Sequence, residues 1–263
     1  MGPRLEPPEL APASPAASGR GTRSARGARL AGGSLLLVIA AALSACATPR
    51  VEMVEGPREY VPADYEAVLR AWTRSKQLTT IEELDNVLTV TATYESWDFR
   101  WAYVVRYAED YRLTVDQRRN LLGRALASTR ERHEFYVALY SQRHKWNDLT
   151  MEEPAWIVRL IDDTGTETAP TDIQAIRRPG AIELTYFPYT SPWRSAFRIS
   201  FPRVRADGRP SIPPGARWFG LRFAGAQGNE TLVWQVAPSE ETEPELDELG
   251  ELRTARRVDS APR

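Results

Sequence analysis

The sequence predicts an α+β fold, with N-terminal helices and a helical hairpin packed on or beside a C-terminal antiparallel β-sandwich. Two observations carry this expectation. Apolar residues recur with a helical period between residues 62 and 132, and with a period of two, broken by turn residues, between 133 and 237. The composition is that of a packed domain, at 42% hydrophobic and 10% aromatic, and a single Cys in 263 residues excludes a disulfide-stapled scaffold.

The first helix is read from Tyr65, Val68, Leu69 and Trp72, one stripe at i, i+3, i+4 and i+7 behind Pro62-Ala63-Asp64. Thr80 and Glu83 have capping-box spacing, but no helical pattern follows them. Leu88, Val90, Ala92 and Tyr94 alternate with Thr89, Thr91 and Thr93, which predicts a strand in the same sheet system as the later ones. Ser96 then opens a helix with the stripe Trp97, Trp101, Val104, Val105 and Ala108. Thr114 and Gln117 cap a second helix running to about Arg130. These two helices form a hairpin inserted after the strand.

Seven further strands are expected at 134–140, 156–162, 172–177, 181–187, 196–201, 218–223 and 231–236. Turn signals separate them, among them Asp163-Thr164-Gly165, Arg178-Pro179-Gly180 and Asp207-Gly208. Seven short strands in about 105 residues suit a sandwich, and the pattern is compatible with an immunoglobulin-like one that lacks the Cys pair. Residues 238–263 hold eight acids and four Arg with few large apolar groups, the composition of a disordered tail.

The most specific signal lies upstream. Arg20, Arg23, Arg26 and Arg29 precede an apolar run from Leu35 to Ala45, about half the ~20 residues that a membrane-spanning helix needs. The run ends in Leu43-Ser44-Ala45-Cys46, which resembles the lipobox of bacterial lipoprotein precursors. That resemblance implies cleavage between Ala45 and Cys46 and a diacylglycerol on the Cys46 thiol. It implies a bilayer partner and a cell-envelope location, and Ala47 after the Cys resembles outer-membrane sorting facing the periplasm. Residues 1–45 would then be a signal peptide with a long leader, 46–61 a tether lifting the fold off the bilayer, 62–132 a mainly helical region, and 133–237 the sandwich.

Cleavage leaves 218 residues carrying 29 basic and 33 acidic groups, a net charge of −4. No basic excess remains for nucleic acid, so none is expected as a partner. Signals for chemistry are weak. His133 and His144 stand eleven residues apart and match no recurring zinc spacing, so neither metal nor cofactor is expected. Asp163-Thr164-Gly165 spells the aspartic-protease triplet only once and reads more simply as a strand-ending turn. The sole Cys is committed to lipid, and no Gly-x-Ser-x-Gly elbow or phosphate loop occurs.

The expectation is therefore a non-catalytic envelope binding or assembly module, with a protein or glycan partner. Its candidate surface is the aromatic loop with Tyr186, Tyr189 and Trp193, and a basic face including Arg198 and Arg222. An envelope hydrolase using paired carboxylates and a structural spacer are the alternatives.

Overall fold

In β2 (Asn86–Tyr94) the alternation read from the sequence places its apolar residues on one side, where the Tyr94 ring lies 5.1 Å from Phe219. The computed structural model describes residues 49–79 and 86–238. The lipobox with Cys46, the Thr80/Glu83 pattern and the acidic tail from residue 239 lie outside them.

The described residues form an α+β fold with two antiparallel sheets. The first contains β1 (Thr73–Thr79), β2, β3 (Arg132–Tyr140), β7 (Ser195–Pro202) and β6 (Asp172–Ile176), in the order β1-β2-β3-β7-β6. The second contains β5 (Glu167–Thr168), β4 (Ile157–Asp162), β8 (Trp218–Gly225) and β9 (Gly228–Gln235), in the order β5-β4-β8-β9. Rings from both meet between them: Phe135 of β3 lies 5.5 Å from Trp234 of β9, which stacks on Phe219 of β8 at 5.5 Å and 5°. Full burial of side chains this large contributes roughly 1.5–3 kcal/mol each.

Helix α1 (Tyr65–Trp72) buries Tyr65, Leu69 and Trp72, the expected stripe. The hairpin α2 (Trp97–Asp110) and α3 (Val115–Glu131) is inserted between β2 and β3, which pair directly. Both caps form as read: Ser96 Oγ accepts from the Phe99 amide at 3.1 Å, and Thr114 and Gln117 bond reciprocally. The buried stripe of α2 is rotated from expectation. Phe99, Ala102, Val104, Val105 and Ala108 are buried, while Trp97 and Trp101 are half-covered. The five-stranded sheet draws on chain from both sides of residue 132, so helical and strand-rich regions share it.

Three differences from the sequence reading have physical causes. Residues 181–187, expected as a strand, form the short helix α4 (Ala181–Tyr186), because Gly180 donates its amide to Glu183 Oε2 at 2.8 Å. The alternation there was accidental, since Ile182 and Leu184 are exposed. Strand β1 escapes a hydrophobic-period test because its side chains are mostly polar; it is held by hydroxyl pairs, Thr73 to Thr93 at 2.6 Å and Ser75 to Thr91 at 2.9 Å. The expected tether is attached from Pro49 onward. Val51 is buried and exchanges hydrogen bonds at 2.8 Å with Gln235 and Ala237, and Gly56 accepts from Trp97 Nε1 at 2.7 Å.

Candidate binding site

The loop following α4 is built from aromatic residues with opposite fates. Tyr186 turns inward, edge-on to Tyr65 and Tyr103 at 5.7 and 4.9 Å, and donates its hydroxyl to Asp110 at 2.9 Å. Phe187 stacks on Tyr136 of β3 at 3.8 Å and 6°. The Tyr189 hydroxyl meets Thr93 at 2.7 Å, and Thr190 meets the Tyr136 hydroxyl at 2.8 Å. Burial holds the Tyr186 and Tyr189 hydroxyls protonated, well above the usual phenol range. These contacts staple the loop to the sheet and leave Ser191-Pro192-Trp193 projecting. Trp193 is 82% exposed, although a Trp ordinarily buries most of its surface.

Trp193 stands at the rim of a hollow of about 520 Å³. Its wall includes Leu184, Arg177 at the end of β6, Arg194 at the start of β7, and His144 and Asp148 from the segment after β3. Arg194, Asp148 and the loop that carries His144 are held from behind. Arg194 donates to Thr91 Oγ1 at 3.2 Å. Asp148 accepts from the amide and hydroxyl of Thr150, at 2.8 and 2.6 Å, and these bonds hold its carboxyl below the usual range. Asn147 doubly bonds the backbone of Ser141 and fixes the loop that carries His144. The hollow thus offers one exposed indole face, two guanidinium groups, an imidazole and one ionised carboxylate. That set can stack on an apolar ring face while bonding polar substituents at its edge.

The residues expected to form one surface are separated by the fold. Tyr186 is buried and Tyr189 half-buried with its hydroxyl turned to Thr93, and Trp193 is the one of the three that is largely exposed. Arg198 lies on β7 and faces Glu95 at 3.5 Å, while Arg222 lies on β8 in the other sheet and pairs with Glu167 at 2.6 Å. Arg203 donates to the Thr129 carbonyl, and Arg217 pairs with Asp163. The arginine run is therefore divided between two sheets and largely engaged. Asp162 accepts three hydrogen bonds from Thr164 and Thr166, so the Asp163-Thr164-Gly165 triplet is a turn, with Gly165 at φ +82°.

Two carboxylates that sequence reasoning did not pair do converge. Glu95 and Glu134, both buried, share the Arg100 guanidinium, Glu95 at 2.9 Å; Glu134 also accepts from Ser128 at 2.8 Å and Arg132 at 2.9 Å. Burial alone would raise the Glu134 pKa, but Arg100, Ser128 and Arg132 outweigh it and hold it below the ordinary value. Neither carboxylate lines the Trp193 hollow, where Asp148 is the one carboxylate. His133 is buried in β3 with Nδ1 2.8 Å from the Tyr94 hydroxyl, whereas His144 is exposed. Among the described residues no three His, Cys, Asp or Glu side chains gather as a metal site, and no helix is long and apolar enough to cross a membrane.

No family model matches the chain. Neither a curated protein nor a solved structure matches it.

Proposed function

We propose that this chain is a lipid-anchored, non-catalytic binding module of the bacterial cell envelope, with the Trp193 hollow as its ligand surface. The lipobox-like Leu43-Ser44-Ala45-Cys46 supports the anchor, and outer-membrane placement facing the periplasm follows from the residue after it. The single observation that carries the binding site is an almost fully exposed Trp beside Arg177, Arg194 and Asp148, on a loop otherwise stapled by buried rings. A rigid base with a projecting indole favours a saccharide, whose CH face stacks on the ring while its hydroxyls or carboxylates meet the guanidinium groups. The two sheets are read here as a β-sandwich serving as the scaffold; the ring contacts of Tyr94, Phe135, Phe219 and Trp234 support that reading.

The hydrolase alternative has its best carboxylate pair in Glu95 and Glu134. Those groups are buried and share one arginine, and Glu134 is held below the ordinary carboxylate range, the wrong direction for an acid that protonates a leaving group.

The test is binding of envelope polysaccharide fragments, followed by tryptophan fluorescence and calorimetry. Trp193→Ala should weaken binding at least about tenfold, while an exposed truncation shifts folding stability by less than about 0.5 kcal/mol. Equal affinity of both proteins removes the hollow as the site. For the anchor, Cys46→Ser should abolish labelling by radioactive fatty acid, and persistent labelling would refute it.

A further inference from the structure

The turn that carries Trp193 also supplies a cation beside it. The Arg194 amide donates to the Ser191 carbonyl at 3.1 Å, closing a four-residue turn with Pro192 at its second position, where the fixed φ of proline suits the bend. The indole and the Arg194 guanidinium therefore come from consecutive residues of one turn. Arg177 arrives from the neighbouring strand. Ile176 pairs with Ala196 in the β6–β7 register, so Arg177 leaves β6 at the end where Arg194 leads into β7, and both line the hollow. Among the described residues neither arginine forms an ion pair. The bond from Arg194 to Thr91 goes to a neutral hydroxyl and leaves the charge uncompensated.

Asp148 is the one counter-charge in the wall. Its hydrogen bonds to Thr150, and to a smaller degree the Arg177 charge, hold it ionised. Glu183, the chain neighbour of the wall residue Leu184, is bonded to the Gly180 amide and does not line the hollow. At pH 8, where an ordinary imidazole is neutral, two guanidinium groups and one carboxylate give the wall a net charge of +1. We propose that the hollow selects acidic sugars, taking a ring with one carboxylate whose CH face lies on Trp193 and whose carboxylate meets Arg177 and Arg194. This rests on the reading of the hollow as a saccharide site. A neutral sugar would take water from two guanidinium groups without giving them a charged partner. A carboxylate matches the single excess charge and fits the planar guanidinium fork. A phosphate monoester, at about −1.5 to −2, exceeds that charge and meets Asp148 as a like charge.

The full chain in detergent is titrated by calorimetry at pH 8 with trimers of galacturonate, glucuronate and mannuronate, and with their methyl esters, which keep the ring and remove the charge. At least one free acid should bind at least about tenfold more tightly than its ester. Arg177→Gln, at an exposed side chain without an ion pair, should lower that preference at least about threefold, and the double variant Arg177→Gln with Arg194→Gln should abolish it. Equal affinity for acid and ester, with both lost in Trp193→Ala, would overturn the acidic preference and leave the saccharide site in place. A preference that survives in the double variant would overturn the role of these arginines. Tighter binding of glucose 6-phosphate than of glucuronate would overturn the match to one carboxylate. Failure of every acid and ester to bind would remove the saccharide reading, and this proposal with it.

Discussion

Buried His133 makes the stability of this protein depend on pH in a range where carboxylates contribute little. Its ring lies in β3 at 1% exposure, with Nδ1 on the Tyr94 hydroxyl. Burial, reinforced by the nearby Arg203 charge, lowers its pKa from 6.5 to about 3. The unfolded chain therefore takes up a proton as the pH falls through 6.5, and the folded chain does not. Stability is full above 6.5 and is lost progressively down to the folded value. Between pH 8 and pH 5 the linkage amounts to about 2 kcal/mol, a value insensitive to the exact folded pKa because pH 5 lies well above it. Glu134, whose pKa is depressed, loses its contribution only below the ordinary Glu range, so pH 5 largely avoids it. Asp98, whose pKa burial raises, acts in the opposite sense and is common to both proteins compared.

The assay is urea denaturation of the wild type and of His133→Asn at the two pH values. Asn keeps a hydrogen-bonding atom near the position of Nδ1 but does not titrate, and the void it leaves lowers stability equally at both pH values. The wild type should lose about 2 kcal/mol more than the variant between pH 8 and pH 5. Parallel losses in the two proteins would refute the assignment of the pH dependence to His133.

Two further substitutions test how the fold is held. Arg100→Gln removes the cation shared by Glu95 and Glu134 and should cost about 3–5 kcal/mol at neutral pH; stability unchanged by the substitution would argue against a shared, structure-holding cation. Arg112, at φ +51°, ends α2 in a position that favours glycine, with the Leu113 amide donating back to Ala108 at 2.9 Å, and its contact with Glu109 is exposed. Arg112→Gly should therefore raise stability by about 0.5–1 kcal/mol in the same denaturation assay, and a loss would mean that the ion pair outweighs the backbone strain.

How far the fold was legible follows from where its signals are local. The helix of Tyr65, Leu69 and Trp72, the caps at Ser96 and Thr114, and the alternating strands β2, β7, β8 and β9 rest on contacts within a few residues or on a regular period, and the sequence carries both. Strand β1 is held by cross-strand hydroxyl pairs and by Arg74 bonding to β9, which leave no apolar period. Residues 181–187 show a period of two that the Gly180–Glu183 cap overrides. The same division applies to the candidate site. An unusual concentration of rings at 186–193 was visible in the sequence. Which ring faces solvent was not, because Tyr186 and Tyr189 find hydroxyl partners at Asp110 and Thr93, 76 and 96 residues away, and Trp193 finds none of that kind.

By itself, the sequence carries the lipobox-like Leu43-Ser44-Ala45-Cys46 and determined the α+β class and most element boundaries, because each is encoded by neighbouring residues or by a simple period. Only the tertiary structure decided that the segment from Pro49 is pinned to β1 and β9, that Glu95 and Glu134 are held by one arginine, and that Trp193 stands exposed beside a hollow lined by Arg177, Arg194 and Asp148. Those outcomes depend on partners far apart in the chain, whose pairing is set by burial and hydrogen-bond satisfaction across the whole fold.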